Sequence, residues 1–503
     1  MRKSLILTTL LISSIILAGC DSIFKNNTPT NSSFDATTSL IYDTPLNRGN
    51  GNITITTNQQ VKQLIAIPYN ISQSSGNILT QINMTDDSGN SLQYQLTPKN
   101  KLQLASEQNT LDNLLTQYQE RMIKKTLEIK QDRNHSENIY SDLQPKSAPI
   151  HNDGNFYKMK NLSDDSYIKS HAKLIATYQT CYLYLEDGAT ISEANIKELG
   201  AFFDTIYNKE TSTFGNVALD IDNDSKVIIV IAALPQSGNE YIAGYFDPQN
   251  QLSRTKFPYS NEAEMVYITT LDKNNQWLAQ SKDTLAHEFQ HLINFSIRSK
   301  FVSSTTIHKE TWLNEGLSMI AGDLMQVSNH NVPDYNVHVN SYLNGNNTWN
   351  TSLCFWESSL ANYGASYLFI RYFTDRYGEA ALKEVVNSKS SGNNALLGFD
   401  SSHYTFNDLL VNWFTAMILK NQHLNELISN NYYGNIDPKY KYSSEIALNN
   451  ITFPNDPSKL YLSGTAGAFI IPNDIIKTNK INLTIRANSS YIKLRLIAIP
   501  ATQ

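Results

Sequence analysis

The chain has 503 residues, 41% of them hydrophobic and 10% aromatic, with a formal net charge of −6. That length and apolar content are enough for two or three cored domains. A mildly acidic protein with an ordinary aromatic content offers neither the field nor a stacking platform for nucleic acid, so no nucleic-acid partner is expected.

At the amino terminus, Arg2 and Lys3 precede an apolar run from Leu5 to Leu17 that ends Leu17-Ala18-Gly19-Cys20. A basic start, a short apolar stretch and small residues before a cleavage point make residues 1–19 a signal peptide. The cysteine directly after Leu-Ala-Gly resembles a bacterial lipobox. That resemblance implies lipidation of Cys20 and a mature chain anchored to a membrane of the bacterial cell envelope, outside the cytoplasm. An ordinary secretory signal is the alternative. The run is too short for a comfortable membrane span. Removing Arg2 and Lys3 with the leader brings the charge to about −8. Cys181 and Cys354 then remain, and pairing or two buried thiols are both open. Residues 20–50, rich in Asn, Thr and Ser, read as a flexible tether.

Residues 51–100 alternate short apolar runs such as Ile53-Thr54-Ile55 and Leu64-Ile65-Ala66-Ile67 with Asn, Gly and Ser turns, a β pattern. Residues 105–134 carry a charged amphipathic helix pattern and read as a connector, closing an amino-terminal region over 51–149. A larger region over 150–440 opens with a strand at 173–185, a helix at 192–207 and a buried strand at 226–232. Asp220 to Asp224 resembles the start of a calcium loop, but Ser225 and Ile231 stand where that loop needs Gly and Glu, so a polar turn is expected. Residues 264–270 have strand character and are expected either at a sheet edge, where they would pair with a bound peptide, or inside the same sheet. Residues 441–503 return to strand patterns as a small β module. Its Leu496-Ile497-Ala498-Ile499-Pro500 repeats Leu64 to Pro68, so the two β regions are candidates for one shared sheet.

The chemistry is concentrated between residues 277 and 324. His287-Glu288-Phe289-Gln290-His291 is the HExxH pattern, on a helix expected over 277–297 with Leu278, Leu285, Phe289 and Leu292 as its apolar stripe. His287 and His291 lie one turn apart and turned away from Leu285, so both can grip one Zn2+ ion while Glu288 acts as proton acceptor. A catalytic zinc ordinarily has a third protein ligand. Asn294 and Ile297 exclude the motif that supplies a third histidine on the same stretch. Among His308, Glu310, Glu315 and Asp323, Glu315 fits best. It projects opposite a second stripe, Leu313, Leu317, Ile320 and Leu324, on a side lined by Met319 and Gly322.

The runs HEFQHLINF, ETWLNEGLSM and NYGASYLFIRYFTDRYG resemble the hyicolysin family of bacterial neutral zinc metallopeptidases and, more distantly, the gluzincins, over roughly residues 150–420. The resemblance implies an α+β fold: a zincin-like catalytic domain with a mixed sheet and active-site helix, then a mainly helical subdomain, flanked here by small β modules. It implies His287, His291 and Glu315 as zinc ligands, Glu288 as catalytic acid/base, and a protein or peptide substrate. Thermolysin-like relatives carry an aspartate where this chain has Met319, so the partner that orients the first histidine must come from elsewhere; Ser318 and Asp323 are candidates. Zinc aminopeptidases share WLNEG, but this chain has 23 residues (292–314) between second histidine and glutamate, more than they use. It also lacks their substrate-gripping Gly-Ala-Met-Glu-Asn segment, so an endopeptidase is favoured.

Peptide hydrolysis also needs a donor for the oxygen that becomes negative. Tyr363 is the first candidate and Tyr367 the second, one turn apart on a helix over 360–377. His308, His338 and His403 have no ligand spacing and read as surface residues. Two function classes follow: an envelope-anchored zinc endopeptidase, and a binding or adhesion lipoprotein on a retained peptidase fold.

Overall fold

The computed structural model describes residues 28–95, 110–131, 153–422 and 448–500, apart from short breaks within those ranges. The expected signal peptide and Cys20 lie outside the described residues. Two bodies of structure carry the architecture, a β-sandwich from the chain's two ends and an α+β body between them.

The sandwich begins with β1 (Thr30–Asp35), β2 (Ile41–Asp43), β3 (Gly51–Thr56), β4 (Val61–Asn70) and β5 (Ile78–Thr85). Strands over 30–43 correct the expectation of a flexible tether across 20–50. β1 runs parallel to β3 with Phe34 opposite Ile55, and β2 joins the other sheet. Its Asn/Thr/Ser content misled because β1 buries Phe34 alone and leaves Asn31, Ser33 and Asp35 on the exposed face.

The α1 helix (Thr110–Gln131) follows, then the central sheet: β6 (Asn155–Asn161), β7 (Ser166–Thr177), β8 (Cys181–Glu186), α2 (Glu193–Phe214), β9 (Val227–Ala232), β10 (Gly244–Phe246) and β11 (Met265–Thr269). Its order is β10-β11-β9-β8-β7-β6, with β11, β9 and β8 parallel and the outer strands antiparallel. The single strand expected over 173–185 is a hairpin. Its turn is set by Asp204 of α2, which accepts the Gln179 and Thr180 amides at 3.2 and 2.8 Å. β9 (Val-Ile-Ile-Val-Ile-Ala) is buried along its whole length. Ile229 and Ile231 face the helices, while Ile228 and Val230 face Phe156, Met159 and Tyr118 of α1.

The longer helices of the helical part are α3 (Trp277–Arg298), α4 (Thr311–Leu324), α5 (Pro333–Leu343), α6 (Leu360–Tyr377) and α7 (Phe406–Asn421). A reciprocal capping box of Ser359 and Asn362 starts α6, and Gly378 at φ +82° ends it. β12 (Leu460–Leu462), β13 (Lys480–Ala487) and β14 (Ile492–Pro500) return to the sandwich. β13 lies between β3 and β5, and β14 between β2 and β4. The repeated Leu-Ile-Ala-Ile runs pair antiparallel, with Ile497 opposite Ile65 and Leu496 opposite Ala66. The two β regions are therefore one domain with one core, in which Ile53, Ile55, Ile82, Leu483 and Leu496 meet. Cys181 and Cys354 are free thiols, and burial pushes both up to about 12. No helix among the described residues is long and apolar enough to cross a membrane.

Candidate metal centre and active site

α3 and α4 cross so that the polar faces deduced from their stripes meet. His287 Nε2 lies 3.1 Å from His291 Nε2, and Glu315 Oε2 lies 3.5 and 3.6 Å from the two rings. Two ligand atoms held tetrahedrally at ~2.0–2.1 Å from one zinc stand roughly 3.3 Å apart, so this triangle fits one ion. Among the described residues, these three form the group whose ligand atoms all lie within 4.8 Å of one another. The His/His/carboxylate donor set suits zinc in a site that retains an open position.

The electrostatics fit a site built for a cation. Burial opposes charge on Glu315, yet His291 and then His287 outweigh it and hold its carboxyl down to about 2. Burial opposes charge on His291 as well, and the neighbouring Glu315, then Glu288, lift it to about 9. Ser318 meets Nδ1 of His291 at 2.9 Å and donates to Gln290 at 2.6 Å. Ser318 is thus a partner of the second histidine. Asp323, the other candidate, is engaged by Tyr367 Oη at 2.8 Å and by Arg371 at 3.1 Å.

Glu288, next to His287 on α3, accepts the Phe246 amide on its Oε2 at 2.8 Å. Phe246 ends β10, and β10 is the outermost strand on that side of the sheet. Residues 264–270 therefore take the interior position, and the open edge belongs to Gly244-Tyr245-Phe246. α3 approaches β10 so closely that a Cβ at Gly244 would stand 2.4 Å from Thr284 Cγ2. Only glycine fits there.

Tyr363 is buried on α6, its hydroxyl 2.7 Å from Thr116 Oγ1 of α1. His338 of α5 stacks on its ring at 5.0 Å, and Trp356 meets it edge-on at 4.9 Å. The expectation of a surface position for His338 is corrected. His338 is half-buried, and burial, then His287, hold its imidazole down to about 4. α5 and α6 touch at Gly364, where a Cβ would stand 2.1 Å from the His338 carbonyl oxygen. His308 and His403 lie outside the described residues. Tyr367 is held by Asp323, and Tyr363 by Thr116, a residue of the cavity wall beside His291 and Glu315. Sequence reasoning missed β10 and His338; a lone Gly ahead of two aromatics and a histidine without ligand spacing gave no periodic signal.

The floor of the site is braced by a buried ion pair. Arg298 at the end of α3 donates to Glu310, just before α4, at 2.6 Å, and to the Val385 carbonyl at 3.0 Å. The brace fixes the start of α4 relative to α3 and so the position of Glu315.

Residues 260–418 match the peptidase MA superfamily, a stretch that includes β11, α3, α4 and α6. The chain is also 26% identical, over 260 residues, to the neutral metalloprotease ShpI of Staphylococcus hyicus, an alignment covering 49% of this chain and 57% of that protein. The α+β body is zincin-like.

Proposed function

We propose that this chain, with its metallopeptidase domain of the peptidase MA superfamily, is a zinc-dependent endopeptidase of the hyicolysin type, held at the bacterial cell envelope by a lipid on Cys20. The observation that carries the catalytic part is the His287–His291–Glu315 triangle with Glu288 beside it, its carboxylate tied to the open edge strand. The anchoring part rests on the Leu-Ala-Gly-Cys run alone.

His287, His291 and Glu315 would hold the ion. Zinc, when bound, supplies Lewis acidity toward the peptide carbonyl and lowers the pKa of water toward neutrality. Glu288 accepts the proton of the attacking water and delivers it to the departing amine. The Phe246 amide aims that carboxylate toward β10, where an extended peptide can add by main-chain hydrogen bonds. Tyr363 donates to the oxygen that gains charge. The 23-residue spacing of residues 292–314 and the absence of an amino-terminus grip before HExxH favour internal cleavage.

The test is digestion of casein by the soluble portion of the chain, with and without a zinc chelator. Cleavage should disappear with the chelator and fall ~10²–10⁴-fold in Glu288→Gln. Tyr363→Phe should lose ~10²–10³ in turnover while zinc content stays the same. Cleavage that survives both the chelator and Glu288→Gln would refute the assignment.

A further inference from the structure

We infer that α1 is a built-in plug of the substrate groove, a segment of this chain seated where a peptide must lie. The inference rests on the peptidase reading above and adds its regulation.

α1 is the helix that reads from sequence as a connector, yet one face of it lines the same cavity as His291 and Glu315 of the metal triangle. Thr116, Gln119, Glu120, Ile123 and Leu127 form one wall, and His291, Phe295 and Glu315 are among the residues of the other. Those five positions follow the three- and four-residue spacing of a single helix face. About 50 Å³ of free space remains between the walls. Pockets that hold a ligand of modest size offer roughly 300–1,000 Å³.

The polar contacts of this face fall on the groups a substrate would use. Phe246 at the open edge has its carbonyl taken by Gln119 Nε2 of α1 at 3.1 Å. A peptide strand adding to β10 needs free main-chain groups of that kind. Thr116 holds the hydroxyl of Tyr363 at 2.7 Å, and Glu120 bonds Thr311 at the first turn of α4. A polar anchor keeps the helix in place. Tyr118 Oη donates to Asp247 Oδ1 at 2.8 Å, directly after β10, while Tyr167 donates to the other carboxylate oxygen at 2.8 Å. A helix satisfies its own main chain, so α1 can fill the groove without presenting an extended bond for cleavage.

Two variants of the zinc-loaded protein test this. Tyr118→Phe cuts the anchor with almost no change of volume. Thr116→Ala/Gln119→Ala/Ile123→Ala loosens the groove face, and zinc content and melting temperature report whether each variant folds. Binding of a peptide hydroxamate is followed by calorimetry, and cleavage of an internally quenched peptide by fluorescence. If α1 fills the groove nine parts in ten or more, its release should tighten hydroxamate binding and raise kcat/KM by about tenfold or more. Variants that fold, bind and cleave like the parent protein would overturn the plug while the peptidase stands. Tighter hydroxamate binding with no cleavage by any form would uphold the plug and refute the peptidase. Absence of both binding and cleavage in every form would overturn the plug.

Discussion

At the scale of single residues, the site is a contest between a proton and a metal for the same imidazole. In the metal-free protein, the raised pKa of His291 contributes stability that is whole below about 6.5 and lost as pH rises through about 9. The depressed pKa of Glu315 contributes stability that is whole above about 4.5 and lost as pH falls toward about 2. A metal needs the unprotonated ring. The rise in melting temperature on adding zinc should therefore grow from about pH 6 to about pH 9, as calorimetry on loaded and chelated protein would show. A rise that shrinks over that range would contradict the ion-paired triangle. These residues were legible in sequence because helical geometry alone puts His287, Glu288 and His291 in register, and a second stripe turns Glu315 toward them. Ser318, His338 and the commitment of Tyr367 to Asp323 were not legible, since each depends on which helix crosses which.

At the scale of elements, α3 and α4 must keep a fixed crossing for the triangle to close. The Arg298–Glu310 pair enforces it from a position where both side chains are almost wholly buried, at 4% and 5% exposure. Breaking a buried pair strands a charge, so Arg298→Ala should cost ~3–5 kcal/mol in denaturant unfolding and weaken zinc retention with it. A loss below about 1 kcal/mol, the range of surface pairs, would show that the brace is not structural. Helix positions were readable from periodicity, as the close match of α3 to its expected bounds shows. The edge strand was not. Three residues are too few for a period of two to register, and Gly244 is present because of α3, a neighbour remote in sequence.

At the scale of the whole molecule, the first and last strands share one core. β13 fills the gap between β3 and β5, and β14 runs along β4. Residues 30–95 are thus structurally bound to the carboxy-terminal strands. A chain beginning at residue 105 should expose the flanks of β13 and β14 and aggregate or lose cooperative unfolding. Its melting with the full-length transition would contradict the shared core. The Leu-Ile-Ala-Ile-Pro repeat pointed to this pairing, whereas the strands within 30–43 were hidden by a polar composition typical of linkers.

X-ray absorption at the zinc edge of the loaded, full-length protein decides whether His287, His291 and Glu315 hold one ion between them. The spectrum should show a four-coordinate site with only nitrogen and oxygen at ~2.0–2.1 Å, the scattering signature of two imidazoles, and loss of the bound metal in Glu315→Ala. Sulfur at ~2.3 Å, or an unchanged spectrum in Glu315→Ala, would contradict that shared ligation.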